Sequence, residues 1–569
     1  MSLSYEQFTQ SFHKHFCQDP NQCISLGIHE RLNELPNPSL ENADQEVRDG
    51  TALLQALAEI DQESLTFDES LDLEIAELMI QQHIHKRTYT FNQKKELPQL
   101  PQASDSISGG LFMMFINDPR PASERLENIR HRVEAVPVFL EEMRQRLDTP
   151  VQRWLQMDLD KIKELPTFFS TLCNWAETEQ WSGSTGLRSA VDKANQHCAQ
   201  YADHLKTLPT TTSFHVGPET ASEIVKLRGI ELPLSELHAI AKDFLKKTQS
   251  TIDTLKLKIC KTHQLPDSMT VSEVQSFLNK KFQVPVHGNL EEDILGQYEK
   301  EKASILEFNT KTQLFPILPN QDMKIISTPD FMRPSIPAGA MVSPPPFREG
   351  TRTSLIYLTL SEELRDEHTL LSIPTMMIHE GIPGHHLQLA TASTHASIIR
   401  KHISAMDQAE GWTTMLEDYM LDQSYLTEHV DEARFCAKRD ISRIGARVAI
   451  DLFFMTGDKT YLDVGIPCDT TSNDPFTCAG NLLQAVTGFT SGRVQAELNW
   501  YSQERGYPLS YLTGNHLVHA LRRDYEASCA HDVSQRERDQ LFHQIFLEAG
   551  SMPLRFLRRV FAHRELLHN

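Results

Sequence analysis

The chain has 569 residues, 40% of them hydrophobic, enough to bury a large core and to suggest more than one domain. Its formal charge is −22, from 55 basic against 77 acidic residues, and such a balance lacks the basic footprint of a nucleic-acid binder. No apolar run is long enough to span a bilayer.

The opening stretch MSLSYEQFTQSFHKHF contains no apolar signal-peptide core. It predicts a cytoplasmic protein, with an exported or lipid-anchored protein lacking its signal in this sequence as the alternative. Nine cysteines cannot all pair within the chain. Cys17 with Cys23, and Cys468 with Cys478, are close enough in sequence to pair, but no Cys-x-x-Cys motif occurs and buried free thiols are expected.

Helical patterns dominate. LDLEIAELMIQQHIHKR reads as one helix, and SERLENIRHRVEAVPVFLEEMRQRL (123–147) as another, with Pro137 marking a kink or break. SELHAIAKDFLKKTQSTIDTLKLKI (235–259) is more regular, with Ser235 as N-cap and Leu237, Ile240, Phe244, Ile252, Leu255 and Ile259 mostly on one stripe. Strand-like stretches are few: MKIIS (323–327) and SLIYLTL (354–360). The Pro/Gly-rich segment between them predicts loop or extended chain. The arginines of LRRDYE and LRFLRRVFAHRE, near the end, are expected as helix surface or as salt-bridge partners. The fold class is therefore mainly α, with a small sheet before residue 371. A helical half (1–210) and a catalytic half (211–569) are expected to form one cooperative unit.

The chemistry concentrates in MMIHEGIPGHHLQLATAS (376–393). A catalytic zinc needs three protein ligands and one open position. In His-Glu-x-x-His, histidines four apart share a helical face and the glutamate reaches the water. Here His379 and Glu380 are in place, but Pro383 stands where the second histidine belongs. Six steps separate His379 from His385, which sets them about 120° apart on a straight helix. The helix cannot be straight, because Pro383 has no N–H for the carbonyl of residue 379 and disfavours helical geometry at Ile382. Gly381 and Gly384 flank the break, so a bulge is expected to absorb two residues and bring His385 into place. His386, seven steps on, lies on the right face but about 10 Å further along the axis. His385 ranks above His386, and the choice between them stays open.

A third ligand is expected from a returning helix, DQAEGWTTMLEDYML. Glu410 lies 25 residues beyond His385, and Glu417, two turns later, is placed to orient a ligand histidine by a hydrogen bond. A lone glutamate on a helix is usually a solvated one, and the distance from His379-Glu380 is what singles out Glu410. The other His-Glu pair, His29-Glu30, has no such context. No Gly-x-Ser-x-Gly elbow and no P-loop Gly-Lys occurs.

HEGIPGHHLQ followed by EGW resembles the bacterial proteins grouped as DUF885. That family looks distantly related to the helical gluzincin metallopeptidases, such as thimet oligopeptidase. CISLGIHERL, RVEAVPVFLEEMRQRL, SRIGARVAIDLFF and GSMPLRFLRRVF resemble family segments along nearly the whole chain. The resemblance implies a large helical metallopeptidase-like fold with a deep cleft, suited to short peptides or small amides. It implies Zn2+ held by His379, His385 and Glu410, with Glu380 as general base. YSQERGYPLSYLTG resembles a family stretch whose tyrosine is Tyr511, implied to support the oxyanion, although core packing is the ordinary reading of such a tyrosine. Where the family has Pro-Gly-Gln this chain has Arg505-Gly506-Tyr507, and Trp500 replaces a basic residue. Tyr507 therefore joins the pocket residues with His386 and Glu417. The family's histidine after the Asp of DtGlh is also replaced. These departures imply altered specificity, or a catalytically degenerate peptidase-like binding protein as the alternative to a zinc-dependent peptidase. SLIYLTL is a candidate edge for an extended peptide, with full pairing inside the sheet as its default.

Overall fold

The structure, a computed structural model, describes residues 4–329, 339–530 and 532–568. It is mainly helical with small sheets. The chain divides into two compact units. The first comprises Met1–Thr220 with Pro345–Arg348 and Ser397–His402, and the second comprises Ala221–Pro344, Glu349–Ala396 and Ile403–Asn569. Among the described residues no helix is long and apolar enough to cross a membrane.

In the first unit the helix Phe67–Thr88 starts at a Thr66–Glu69 capping box, in which two otherwise orphaned backbone donors are satisfied reciprocally. The helix Ala122–Arg146 packs along Ser184–Leu205. Pro137 lies inside the former without ending it. One backbone hydrogen bond is lost there, but Leu126, Ile129, Val133, Val136, Leu140 and Met143 form a continuous buried stripe that holds the helix through it. Of the two expectations at Pro137, a kink or a break, the break is absent.

In the second unit the long helix Leu234–Thr262 packs against Val430–Thr456. It begins at Pro233, not at Ser235. Leu234 is buried and anchors the first turn, while Ser235 makes no cap. Of the predicted stripe, Leu237, Ile252, Leu255 and Ile259 are buried, whereas Ile240 and Phe244 are half-buried beside the buried Ala241 and Leu245.

The sheet has three strands. Arg352–Leu358 lies in the middle, parallel to Gln321–Ser327 and antiparallel to Gly339–Val342. Ser354 to Leu358 are all buried, which explains a run apolar on both faces. Because this strand is paired on both sides, it offers no edge to a peptide. The third strand falls in the Pro/Gly-rich segment expected to be loop or extended chain. Residues 330–338 of that segment lie outside the described residues.

The nine cysteines are free thiols, six of them buried. Arg522 pairs with Asp539 at 2.7 Å and Glu526 at 3.0 Å, Arg558 with Asp524 at 2.7 Å, and Arg555 with Glu231, as expected for salt-bridge partners.

Candidate metal centre

The motif does not form one bulged helix. A first motif helix, Ser372–Glu380, ends at Gly381, whose N–H bonds the Met377 carbonyl at 3.0 Å, and a second begins at His385 and runs to Ala392. The Ile382–Pro383 peptide between them is cis. Gly384 is required by closeness: a Cβ there would sit 1.9 Å from the His379 carbonyl oxygen. His379 is thus the penultimate residue of one helix and His385 the first of the next. Their rings meet edge to face, with centroids 4.9 Å apart at 84°. The predicted displacement of the second histidine holds, but a full break accomplishes it.

The helix Met406–Asp422 crosses beneath this turn. Trp412 donates its indole N–H to the Pro383 carbonyl at 2.9 Å, pinning the turn to the helix that carries Glu410. Glu410 Oε2 lies 3.5 Å from His385 Nε2 and 3.7 Å from His379 Nε2. All three side chains are buried, with donor atoms within 4.8 Å of one another. Glu417 accepts a hydrogen bond from His379 Nδ1 at 2.8 Å, which orients the ring and leaves Nε2 facing Glu410.

The donors fit a zinc ion. Ligands about 2.0–2.1 Å from a tetrahedral metal are about 3.3 Å from each other, close to the observed separations and too long for strong hydrogen bonds. Glu410 Oε2 and His385 Nδ1 are buried without a hydrogen-bond partner, and such atoms call for an ion or other partner. Burial opposes charge at Glu410, but His385 and His379 hold its carboxyl well below the usual range. Burial likewise opposes charge on His379, yet the carboxylates close by, Glu410 first, then Glu417 and Glu380, raise its pKa well above normal. Three carboxylates around two imidazoles make a cation-seeking site.

Glu380 ends the first motif helix, half-buried. Among the described residues no hydrogen bond or ion pair holds its carboxylate, so it is available as a base. His386 has a different role. It is fully buried, with Nδ1 2.7 Å from Ser354 Oγ and Nε2 bonded to Gln321 Oε1. Both nitrogens are engaged by the sheet, and burial lowers its pKa to about 4. The geometry selects His385, and His386 serves as the link between the second motif helix and the strands.

Tyr511 and Tyr507 are half-buried, with ring centroids 5.9 Å apart. Burial, followed by the charge of Glu410, raises the Tyr511 pKa well above normal, so its phenol keeps its proton. The tyrosine helix, Ser510–Ser528, packs along Met406–Asp422 at a Gly411–Gly514 contact so close that a Cβ on Gly514 would lie 2.1 Å from the Asp407 carbonyl oxygen. That approach is what brings Tyr511 near Glu410.

Sequence reasoning assigned no role to Arg447 and Asp451. Arg447 lies over the Tyr511 ring at 4.3 Å and donates to Tyr501 and Glu497, each at 2.9 Å. Asp451 accepts from the Gly506 and Leu509 amides at 3.1 Å, shaping the turn that carries Tyr507. Their signal was present: Arg443, Arg447 and Asp451 recur every four residues on the otherwise apolar second half of their helix.

Fold and cluster together define a large, mainly helical protein with a buried His-His-Glu cluster at a broken helix. The chain belongs to the DUF885 family, bacterial proteins of unknown function, whose profile matches residues 20–561. Among curated proteins none matches the sequence. Two solved structures share the fold. One is a candidate lipoprotein of unknown function from Shewanella oneidensis, 16% identical over 98% of this chain and 99% of that chain, TM-score 0.76. The other is a candidate lipoprotein from Colwellia psychrerythraea, 15% identical over 99% of each chain, TM-score 0.79.

Proposed function

We propose that this protein is a zinc-dependent hydrolase of peptide or related amide bonds, acting on short peptides. The observation that carries the reading is Glu410 Oε2, buried without a hydrogen-bond partner and facing His379 Nε2 and His385 Nε2 at 3.7 and 3.5 Å. When bound, zinc would polarise the scissile carbonyl and acidify a water molecule. Glu380, beside the ligand His379, takes the proton of the attacking water and delivers it to the leaving amine. The Tyr511 phenol, kept protonated, donates to the carbonyl oxygen as it becomes negative. Glu417 fixes the His379 ring, and Trp412 holds the turn that spaces the two histidines.

The test measures bound zinc and hydrolysis of a short-peptide library in wild type and Glu380→Gln. Retained zinc with hydrolysis reduced about 10²–10⁴-fold is expected. A protein that takes up no zinc, or a variant of unchanged activity, sinks the proposal. Zinc without turnover would instead favour a binding protein on a peptidase-like scaffold.

We also propose an exported or lipid-anchored location, since both structural relatives are described as candidate lipoproteins. Fractionation of the native bacterium tests it, and recovery solely in the cytoplasm would refute it.

A further inference from the structure

A second cluster of metal-ligating side chains lies wholly within the first unit. The helix Tyr5–Phe16 carries His13 on its last turn, and Cys17 follows four residues on, on the same side. His402 ends the short helix Ile398–His402, 389 positions away in sequence. His13 Nδ1 and His402 Nε2 are 2.8 Å apart. The Cys17 Sγ lies 3.6 Å from His13 Nε2 and 3.9 Å from its Nδ1, and the ligand atoms of all three residues fall within 4.8 Å of one another. Zinc bonds of about 2.3 Å to sulfur and about 2.0 Å to nitrogen, at the tetrahedral angle, place a sulfur and a nitrogen about 3.5 Å apart, near the Cys17–His13 separations, and two nitrogens about 3.3 Å apart, so the His13–His402 hydrogen bond would give way to the ion.

The surroundings are apolar. Phe12, Phe16 and Phe347 stand 5.6, 5.9 and 5.1 Å from the His402 ring, centroid to centroid. His402 is buried, and its Nδ1 has no hydrogen-bond partner. Two imidazoles and a thiol are a costly filling for so aromatic a surrounding. As ligands the same groups are ordinary. A further buried thiol, Cys23, adjoins Cys17 and donates to its carbonyl at 3.2 Å.

We propose that His13, Cys17 and His402 form a second, thiolate-containing zinc site, structural in kind, which ties the first helix to the segment Ser397–His402. The site takes a thiophilic ion because sulfur and imidazole are its donors. It differs in its donors from the His379–His385–Glu410 cluster, which contains no sulfur.

That difference supplies the test. Full-length protein is stripped with a chelator under reducing conditions and reloaded with Co2+. A cobalt–thiolate charge-transfer band in the near-ultraviolet reports a site with sulfur. The wild type is expected to show the band. Cys17→Ser and His402→Gln are expected to lose it together with one bound ion per chain, while His379→Gln keeps it. Should His402→Gln fail to fold, His13→Gln, at a half-exposed side chain, replaces it. A wild type without the band, or a band surviving Cys17→Ser, overturns the proposal. Either result leaves the hydrolase reading to its own test.

Discussion

Replacing Glu417 with glutamine keeps an oxygen beside His379 and removes only the charge. The two side chains are 2.8 Å apart, 9% and 11% exposed, so solvent screens their interaction little. A hydrogen bond to a charged group is worth about 1.5–3 kcal/mol and a neutral one about 0.5–1.5. The difference, about 1–2 kcal/mol, corresponds to roughly 5–30-fold in zinc affinity. A second effect opposes it. In the metal-free protein Glu417 also stabilises the His379 imidazolium, whose proton must leave before zinc binds. Glu417→Gln therefore relieves proton competition while weakening the bond. Loss of affinity is expected to be fullest at about pH 8 and smaller at about pH 6, where protons compete harder. Competition titration against a fluorescent chelator at both pH values measures this. Asp418→Asn is the control, because Asp418 pairs with Arg434 and Lys438 instead. Unchanged or tighter zinc binding by folded Glu417→Gln at the higher pH would refute the reasoning.

Gly384→Ala forces a Cβ into the His379 backbone, and overpacking against an atom that cannot swing aside is expected to cost about 3 kcal/mol or more. Urea unfolding measures it against Gly296→Ala, where a Cβ meets open space on a helix. Tyr511→Phe is expected to retain zinc and lower kcat/KM about 10²–10³-fold, as for loss of one oxyanion donor; equal rates would remove Tyr511 from the mechanism. His386 titrates near 6.5 when exposed but near 4 in the fold, because burial disfavours its charge. Between those values the unfolded chain binds the extra proton, so stability falls as pH drops through that window. The loss reaches about 3 kcal/mol for this residue. Denaturation at pH values inside and above the window should show a shallower dependence in His386→Gln than in wild type.

The local pattern of the sequence was enough for the mainly helical class and for the place of the sheet before the motif. Apolar periodicity is read over a few turns and needs no distant partner. It was equally enough to mark Pro383 as a break, since proline's missing N–H acts on its own helix. Where the pattern misled, packing had overruled a local rule: a buried stripe carries the helix through Pro137, and buried Leu234 starts its helix where Ser235 was expected to cap it.

The choice between His385 and His386 was different in kind. Adjacent residues on one helix share spacing and chemistry, and no count of steps separates them. The fold decides it, because Ser354 and Gln321 on neighbouring strands occupy both nitrogens of His386, while Glu410 faces His385 from a helix crossing beneath. Arg447 over Tyr511, and His402 beside His13, are of the same sort. Their sequence separations are long, and nothing short of the closed chain brings such groups within bonding distance.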